Sequence, residues 1–184
     1  MKIAMIGQKG MPAIHGGVER HVHELSVRLV ERGHEVTAYS RKWYTGGKSD
    51  PVDGVQIQHV PSIHTKHFDT ITYTLAATVH AMRSKVDAIH YHGVGPSLLS
   101  WIPRIFAPRI RVINTFHSID RKHDKWGLVA RMSLWIGEWA TCTFAHETIA
   151  VSRTIQQYVR DAYSKDVHYV PNGVPMYKKT KEND

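Results

Sequence analysis

The residues able to do chemistry fall in four short stretches, each where an apolar run gives way to glycine, histidine or a hydroxyl side chain. The first is Gly7-Gln8-Lys9-Gly10, followed by Gly16-Gly17 directly ahead of an amphipathic segment. Paired glycines at a helix start let a ligand approach the backbone, and the free amides and positive dipole end there favour a phosphate. A plain tight turn accounts for Gly16-Gly17 equally well. The spacing is not that of the Gly-x-Gly-x-x-Gly dinucleotide fingerprint, and no Gly-Lys-Ser/Thr stands at the helix start. Gly47-Lys48-Ser49 does occur, but Lys42 stands where the first glycine of a P-loop belongs and Pro51 follows.

The second stretch is His90-Tyr91-His92-Gly93, with two histidines at period two on one side of a strand. That geometry suits a metal, but no cysteine joins them and no carboxylate stands nearby at ligand spacing, so packing and backbone hydrogen bonding are expected and no metal is. The third is Thr115-Phe116-His117-Ser118. A histidine just past a strand end is placed to donate to a substrate hydroxyl or oxyanion, and a purely structural role is its alternative. The fourth is Val151-Ser152-Arg153, where Ser152 is placed to cap a helix. Serine-hydrolase chemistry is set aside: there is no Gly-x-Ser-x-Gly elbow. The single cysteine, Cys142, lies in an apolar stretch and reads as a small buried hydrophobe.

Positioning these stretches requires alternating strands and helices. Strands are expected at 2–7, 35–40, 55–59, 87–92, 111–116, 148–151 and 167–170. Helices are expected at 18–32, with Val18, Val22, Leu25 and Leu29 on one face, and at 68–85, with Ile71, Leu75, Val79 and Met82 on one face. Further helices are expected at 96–106, interrupted at Pro103, at 127–144 and from Ser152 to about Tyr163. This is the α/β pattern of a doubly wound, mostly parallel sheet of about seven strands, whose ligands bind at the carboxyl ends of the strands. The loops after Gly7, His92, Phe116 and Val151 should therefore converge.

Composition adds bounds. The chain has 184 residues, 42% hydrophobic and 22% charged, enough for a sizeable core. One cysteine excludes an internal disulfide framework and fits a reducing compartment. No secretory leader and no apolar run of membrane-spanning length is present, so the cytoplasm is the expected compartment. A net charge of +8 fits phosphate-rich ligands, anionic membranes or nucleic acid, but no nucleic-acid-binding motif accompanies it, and a nucleic-acid partner is not expected. Trp101 to Phe106, Arg109 to Arg111, Arg121-Lys122 and Lys125-Trp126 mix basic and aromatic residues as surfaces at the inner face of a membrane do; core helices with solvated basic ends are the other reading.

The order and spacing of several pieces resemble the N-terminal domain of family 4 glycosyltransferases of the GT-B fold. They are Gly16-Gly17-Val18-Glu19, Arg32-Gly33-His34-Glu35-Val36, Asp87 to His92, Thr115-Phe116-His117, Ile149 to Ser152 and Tyr169-Val170-Pro171-Asn172-Gly173-Val174. The opening Gly7-x-x-Gly10-x-Pro12 looks like a rhamnosyltransferase-like subgroup. The resemblance implies a Rossmann-like domain over 1–174, with 175–184 starting an interdomain linker or disordered tail, and a nucleotide-binding second domain beyond it. It implies retaining transfer of a hexosyl or rhamnosyl group from a nucleotide-sugar donor to a glycan or lipid-linked acceptor, with no metal or other cofactor. By the same resemblance, Gly16 and Gly17 would face the donor diphosphate and His117 the donor sugar. His92 and Gly93 would line the acceptor cleft, Ser152 and Arg153 its rim, and Glu19 and Arg20 would touch acceptor or donor. Retention here rests on positioned donors, because the leaving group already carries charge; no carboxylate pair about 5 Å apart, as a retaining glycosidase needs, is evident. The alternatives are a non-catalytic binding module and one subunit of a split enzyme.

Overall fold

The computed structural model describes residues 1–65, 68–119 and 128–173. Seven strands form one sheet in the order β3-β2-β1-β4-β5-β6-β7, and every pairing is parallel. They are β1 (Lys2–Ile6), β2 (Glu35–Ser40), β3 (Gln56–His59), β4 (Ala88–His92), β5 (Arg111–Phe116), β6 (Glu147–Ala150) and β7 (His168–Tyr169). The intervening helices are α1 (Gly17–Glu31), α2 (Lys42–Thr45), α3 (Asp69–Arg83), α4 (Val94–Ser97), α5 (Trp101–Phe106), α6 (Leu128–Thr143) and α7 (Arg153–Tyr163). This is the expected doubly wound α/β, Rossmann-like architecture. Its strand order reverses between β1 and β4, which is where such sheets open a crevice.

Strand periodicity divides the core between the two faces. In β1, Ile3 and Met5 join the cluster under α1 that contains Val22, Val36 and Ala38, whereas Ala4 and Ile6 join the cluster under α3. A third cluster, with Phe116, Ala150, Ile155 and Val159, fills the α6–α7 end. β4 is buried along its whole length, as a central parallel strand must be.

Two expectations about helices are corrected. The buried face of α3 is Tyr73, Thr74, Ala77, Thr78 and Ala81, and not the stripe through Ile71, Leu75, Val79 and Met82. Ile71 and Leu75 are 41% and 46% exposed, and Leu75 and Val79 line an open groove of about 590 Å³ with Ile63. Small side chains let α3 lie close on the sheet, and the Tyr73 hydroxyl reaches the Tyr39 carbonyl at 2.7 Å; volume, not hydropathy, chose the face. Pro103 does not interrupt a helix either. It sits in the first turn of α5, where its missing N–H has no partner to lose, and the break falls earlier, between α4 and α5. The connection from β2 to β3 carries the short α2. The basic residues at 121–126 and the boundary at 174–175 lie outside the described residues.

The loop from β1 to α1 is fixed to β2. Gln8 donates to the carbonyls of Met5 and Tyr39, and Met11 N–H donates to Ser40 Oγ. Buried Arg41 donates to the Gln8 carbonyl, pairs with Asp69 at 2.7 Å and lies 3.9 Å over the Tyr73 ring. A buried guanidinium is tolerable only with such a set of partners.

Candidate functional site

β1 and β4 end side by side at the switch point. Gly7 has φ +128, and a Cβ there would run into the His92 backbone carbonyl. Only glycine allows this approach. It places the loop that leads to α1 against the loop that leaves β4, where Gly93, at φ +96, turns the chain into α4 while its N–H bonds the Thr115 carbonyl at 3.0 Å.

Histidines converge here from three elements. His92 ends β4, His117 follows β5, and His21 lies one turn inside α1 beyond Gly17. His92 Nδ1 and His117 Nε2 are 3.3 Å apart. The His21 ring stands edge-on to both, at 5.6 Å from His92 and 5.0 Å from His117 between centroids. Beneath them, His90 stacks on His92 at 4.0 Å, and its Nε2 is 2.7 Å from Thr115 Oγ1. Burial lowers the pKa of all four, reinforced at His90, His92 and His117 by neighbouring imidazoles. His90 and His117 are pushed down to about 3, His92 lies well below its ordinary value, and His21 is lowered less directly, since its hydrogen bond to Asn172 opposes burial. Near neutral pH the site therefore offers neutral imidazoles, which donate and accept hydrogen bonds without bringing charge.

The helix start at Gly16 and Gly17 has the geometry an anion would use. Gly16 has φ +102 and no side chain caps α1, and a Cβ on Gly17 would meet nothing within 4 Å. Glu19 does not lie on the surface: it is buried, accepts a hydrogen bond from Lys9 N–H at 3.2 Å and folds back against Gly16. A carboxylate there takes part of the dipole's attraction for anions. Arg20 is exposed and pairs with Glu24 at 3.4 Å on a different face of α1 from His21.

At the far side of the cleft, Ser152 caps α7 by accepting from Ile155 N–H at 3.2 Å, as its sequence position predicts. Arg153 is exposed, bonds Gln156 at 3.1 Å and stacks 4.2 Å over the Tyr169 ring. Of the residues singled out in the sequence, the structure thus brings His92, Gly93 and His117 together beside the Gly16-Gly17 helix start, while Ser152 and Arg153 are engaged on α7. Cys142 is buried and its thiol is pushed up to about 12, mainly by burial, in keeping with an inert role.

Sequence reasoning missed two members. His21 carried a usable signal: it lies four residues after Gly17 and so shares the helix face that opens at the glycines. Asn172, within the Pro171-Asn172-Gly173 turn, reaches His21 only through the return of the chain after β7, which no local pattern reveals. Val170, Pro171 and Gly173 face His21, Leu25 and Arg28 across a pocket of about 280 Å³.

A Rossmann-like sheet with its crevice at the β1–β4 switch point defines a doubly wound α/β domain that binds its ligand at that crevice. The chain belongs to glycosyltransferase family 4, whose sequence profile matches residues 15–177. It is 26% identical to the phosphatidylinositol N-acetylglucosaminyltransferase GPI3 subunit of Saccharomyces cerevisiae (strain YJM789) over 184 residues, 94% of this chain and 39% of that protein. It is 29% identical to spore coat protein SA of Bacillus subtilis (strain 168) over 129 residues, 68% of this chain and 31% of that protein. The fold is similar to sucrose-phosphate synthase from Thermosynechococcus elongatus, with TM-score 0.68 at 18% identity over 92% of this chain and 47% of that one. It is also similar to the catalytic domain of starch synthase IV from Arabidopsis thaliana bound to ADP and acarbose, with TM-score 0.68 at 16% identity over 94% of this chain and 51% of that one. The chain spans about two-fifths of the length of the GPI3 subunit it matches.

Proposed function

We propose that this chain is the acceptor-side domain of a retaining glycosyltransferase that moves a sugar from a nucleotide-sugar donor to a glycan or lipid-linked acceptor. The observation that carries the reading is the meeting of His92 and His117 at 3.3 Å beside the uncapped start of α1, in a domain of glycosyltransferase family 4. In the reaction the acceptor oxygen bonds the anomeric carbon while the bond from that carbon to the diphosphate oxygen breaks. The electron pair leaves with the nucleoside diphosphate, and the acceptor's proton passes to the departing phosphate or to water.

His117 is assigned to the donor sugar. Held neutral by burial, it donates one N–H to a sugar oxygen and so fixes the anomeric carbon for attack rather than supplying a proton. Gly16 and Gly17 present the amides of α1 to the diphosphate, and His92 with Gly93 forms the wall on the acceptor side. The histidines bring no positive charge and Glu19 offsets the helix dipole, so a bound diphosphate draws on cationic groups other than these. A second domain that supplies such groups is part of the proposal; the chain spans only part of the length of its relatives. A hexosyl group, with rhamnosyl the particular expectation, is the proposed cargo. No metal or cofactor enters these steps.

A membrane-borne acceptor is favoured by two exposed stretches. Met132, Trp135, Ile136 and Trp139 form an exposed stripe at helical spacing on α6, and Trp101, Ile105 and Phe106 are exposed on α5 with Arg104, Arg109 and Arg111 around them. Aromatic and aliphatic side chains rimmed by arginine suit the interface of an anionic bilayer. No helix among the described residues is long and apolar enough to cross a membrane.

The test is sugar transfer by the intact polypeptide, assayed with a panel of nucleotide sugars, with the anomeric configuration of the product read by NMR. His117→Ala is expected to lower kcat by about 10²–10³-fold while leaving the thermal melt unchanged. Turnover within twofold of the parent, or an inverted product, overturns the assignment.

A further inference from the structure

We propose that His21, His92 and His117 form a binding site for a late first-row divalent cation, Zn²⁺ foremost. This departs from the expectation of a metal-free cleft, which weighed only the two histidines of β4. The third ligand comes from α1, and one donor nitrogen from each of the three lies within 4.8 Å of the other two. The His92 Nδ1 to His117 Nε2 separation is 3.3 Å. Two imidazoles bound about 2.0–2.1 Å from one tetrahedral ion stand about 3.3–3.4 Å apart, so this pair already has the required edge. Bringing His21 to the same separation takes a side-chain adjustment of about 1.5 Å on a half-buried ring, well within what rotamer settling supplies.

Three features around the cluster support an ion. The rings come from three separate elements, α1, β4 and the segment after β5, so their convergence is set by the tertiary fold and not by neighbouring positions in one helix. The outer contacts are of the kind that orient metal-bound imidazoles: the Asn172 side chain bonds His21, and His90, itself fixed to Thr115 Oγ1, stacks under His92. Finally, His92 is 2% exposed, and its Nδ1 is directed at His117 Nε2, the nitrogen with which it would share the ion. An all-imidazole set selects Zn²⁺, Ni²⁺ or Cu²⁺ over Mg²⁺ or Ca²⁺, which prefer oxygen. Three protein ligands leave a fourth position open to water or to an oxygen of a bound ligand.

The ion would occupy the place assigned above to the donor sugar, a consequence that rests on that reading. Zn²⁺ and the nucleotide sugar then compete for His117, and transfer falls as Zn²⁺ rises. Binding is measured without reference to activity. The intact polypeptide, stripped with a chelator, is titrated with ZnCl₂ in a calorimeter, and with CoCl₂ in an absorption cell. The expected result is one site, weakened at least about tenfold by His21→Gln and by His117→Ala, with the visible band of tetrahedral Co²⁺ in the parent protein. His23→Ala, on the same helix but facing Asp53, leaves that site unchanged. Absence of the Co²⁺ band, or Zn²⁺ binding that His21→Gln does not weaken, overturns the site. The His117→Ala turnover assay, run in chelator, is read separately, so a failed metal site and a failed sugar role remain distinguishable.

Discussion

Gly7 and His92 meet at the level of single atoms, and the cleft depends on that meeting. The backbone of Gly7 occupies a region that L side chains rarely adopt, and an added methyl would strike the His92 carbonyl. Either effect costs about 1–3 kcal/mol, and they act together. Gly7→Ala is therefore expected to lower stability by about 2–4 kcal/mol in urea unfolding and to reduce transfer by the surviving folded fraction, because β4 must shift at its carboxyl end. A loss below about 1 kcal/mol would mean that the two strand ends separate freely. Legibility at this scale was uneven. Ser152 was read as a helix cap from its neighbours alone, because capping is local. Glu19 was not read as buried, because its partner is the backbone of Lys9 ten residues away.

Among the elements, α5 and α6 carry the surface that a membrane reading predicts. Their exposed aromatics point away from the sheet, and the helices meet it through other residues: Asn114 on β5 donates to Thr141 O of α6 at 3.1 Å and approaches Ser100 Oγ, ahead of α5, at 3.4 Å. The stripe can therefore be altered without touching the core. The intact polypeptide is expected to cosediment with vesicles containing anionic lipid, less so as salt rises. The double variant Trp135→Glu and Trp139→Glu should lose most of that binding with an unchanged melt. Equal sedimentation of variant and parent, or none at low salt, removes the surface. The boundaries of α1, α3, α6 and α7 were legible because periodicity and capping report them, and those of α4 and α5 were not. The face of α3 was not, because the choice between Leu75 and Ala77 is made by the space between helix and sheet.

For the whole molecule, the proposed second domain sets the expectation. On the proposal of a second domain, residues 1–184 by themselves are expected to transfer sugar at least about 10³-fold more slowly than a polypeptide that carries it, since positioned cationic and dipolar partners of a leaving diphosphate contribute that much. Comparable turnover by the two, in one assay with the same donor, would place the whole reaction within this domain.

Sequence by itself determined the alternation of strands and helices, the parallel sheet and the loops in which chemistry would be found. Each of those follows from local periodicity, glycine placement and the rule that parallel sheets bind at their carboxyl ends. Tertiary structure decided which side chains meet there. His21 joins His92 and His117 because the first turns of α1 lie beside the carboxyl ends of β4 and β5, and Asn172 reaches His21 because the chain returns past β7. Contacts between residues some 70 to 150 positions apart leave no trace in a local pattern, since they depend on how three packed layers settle against one another.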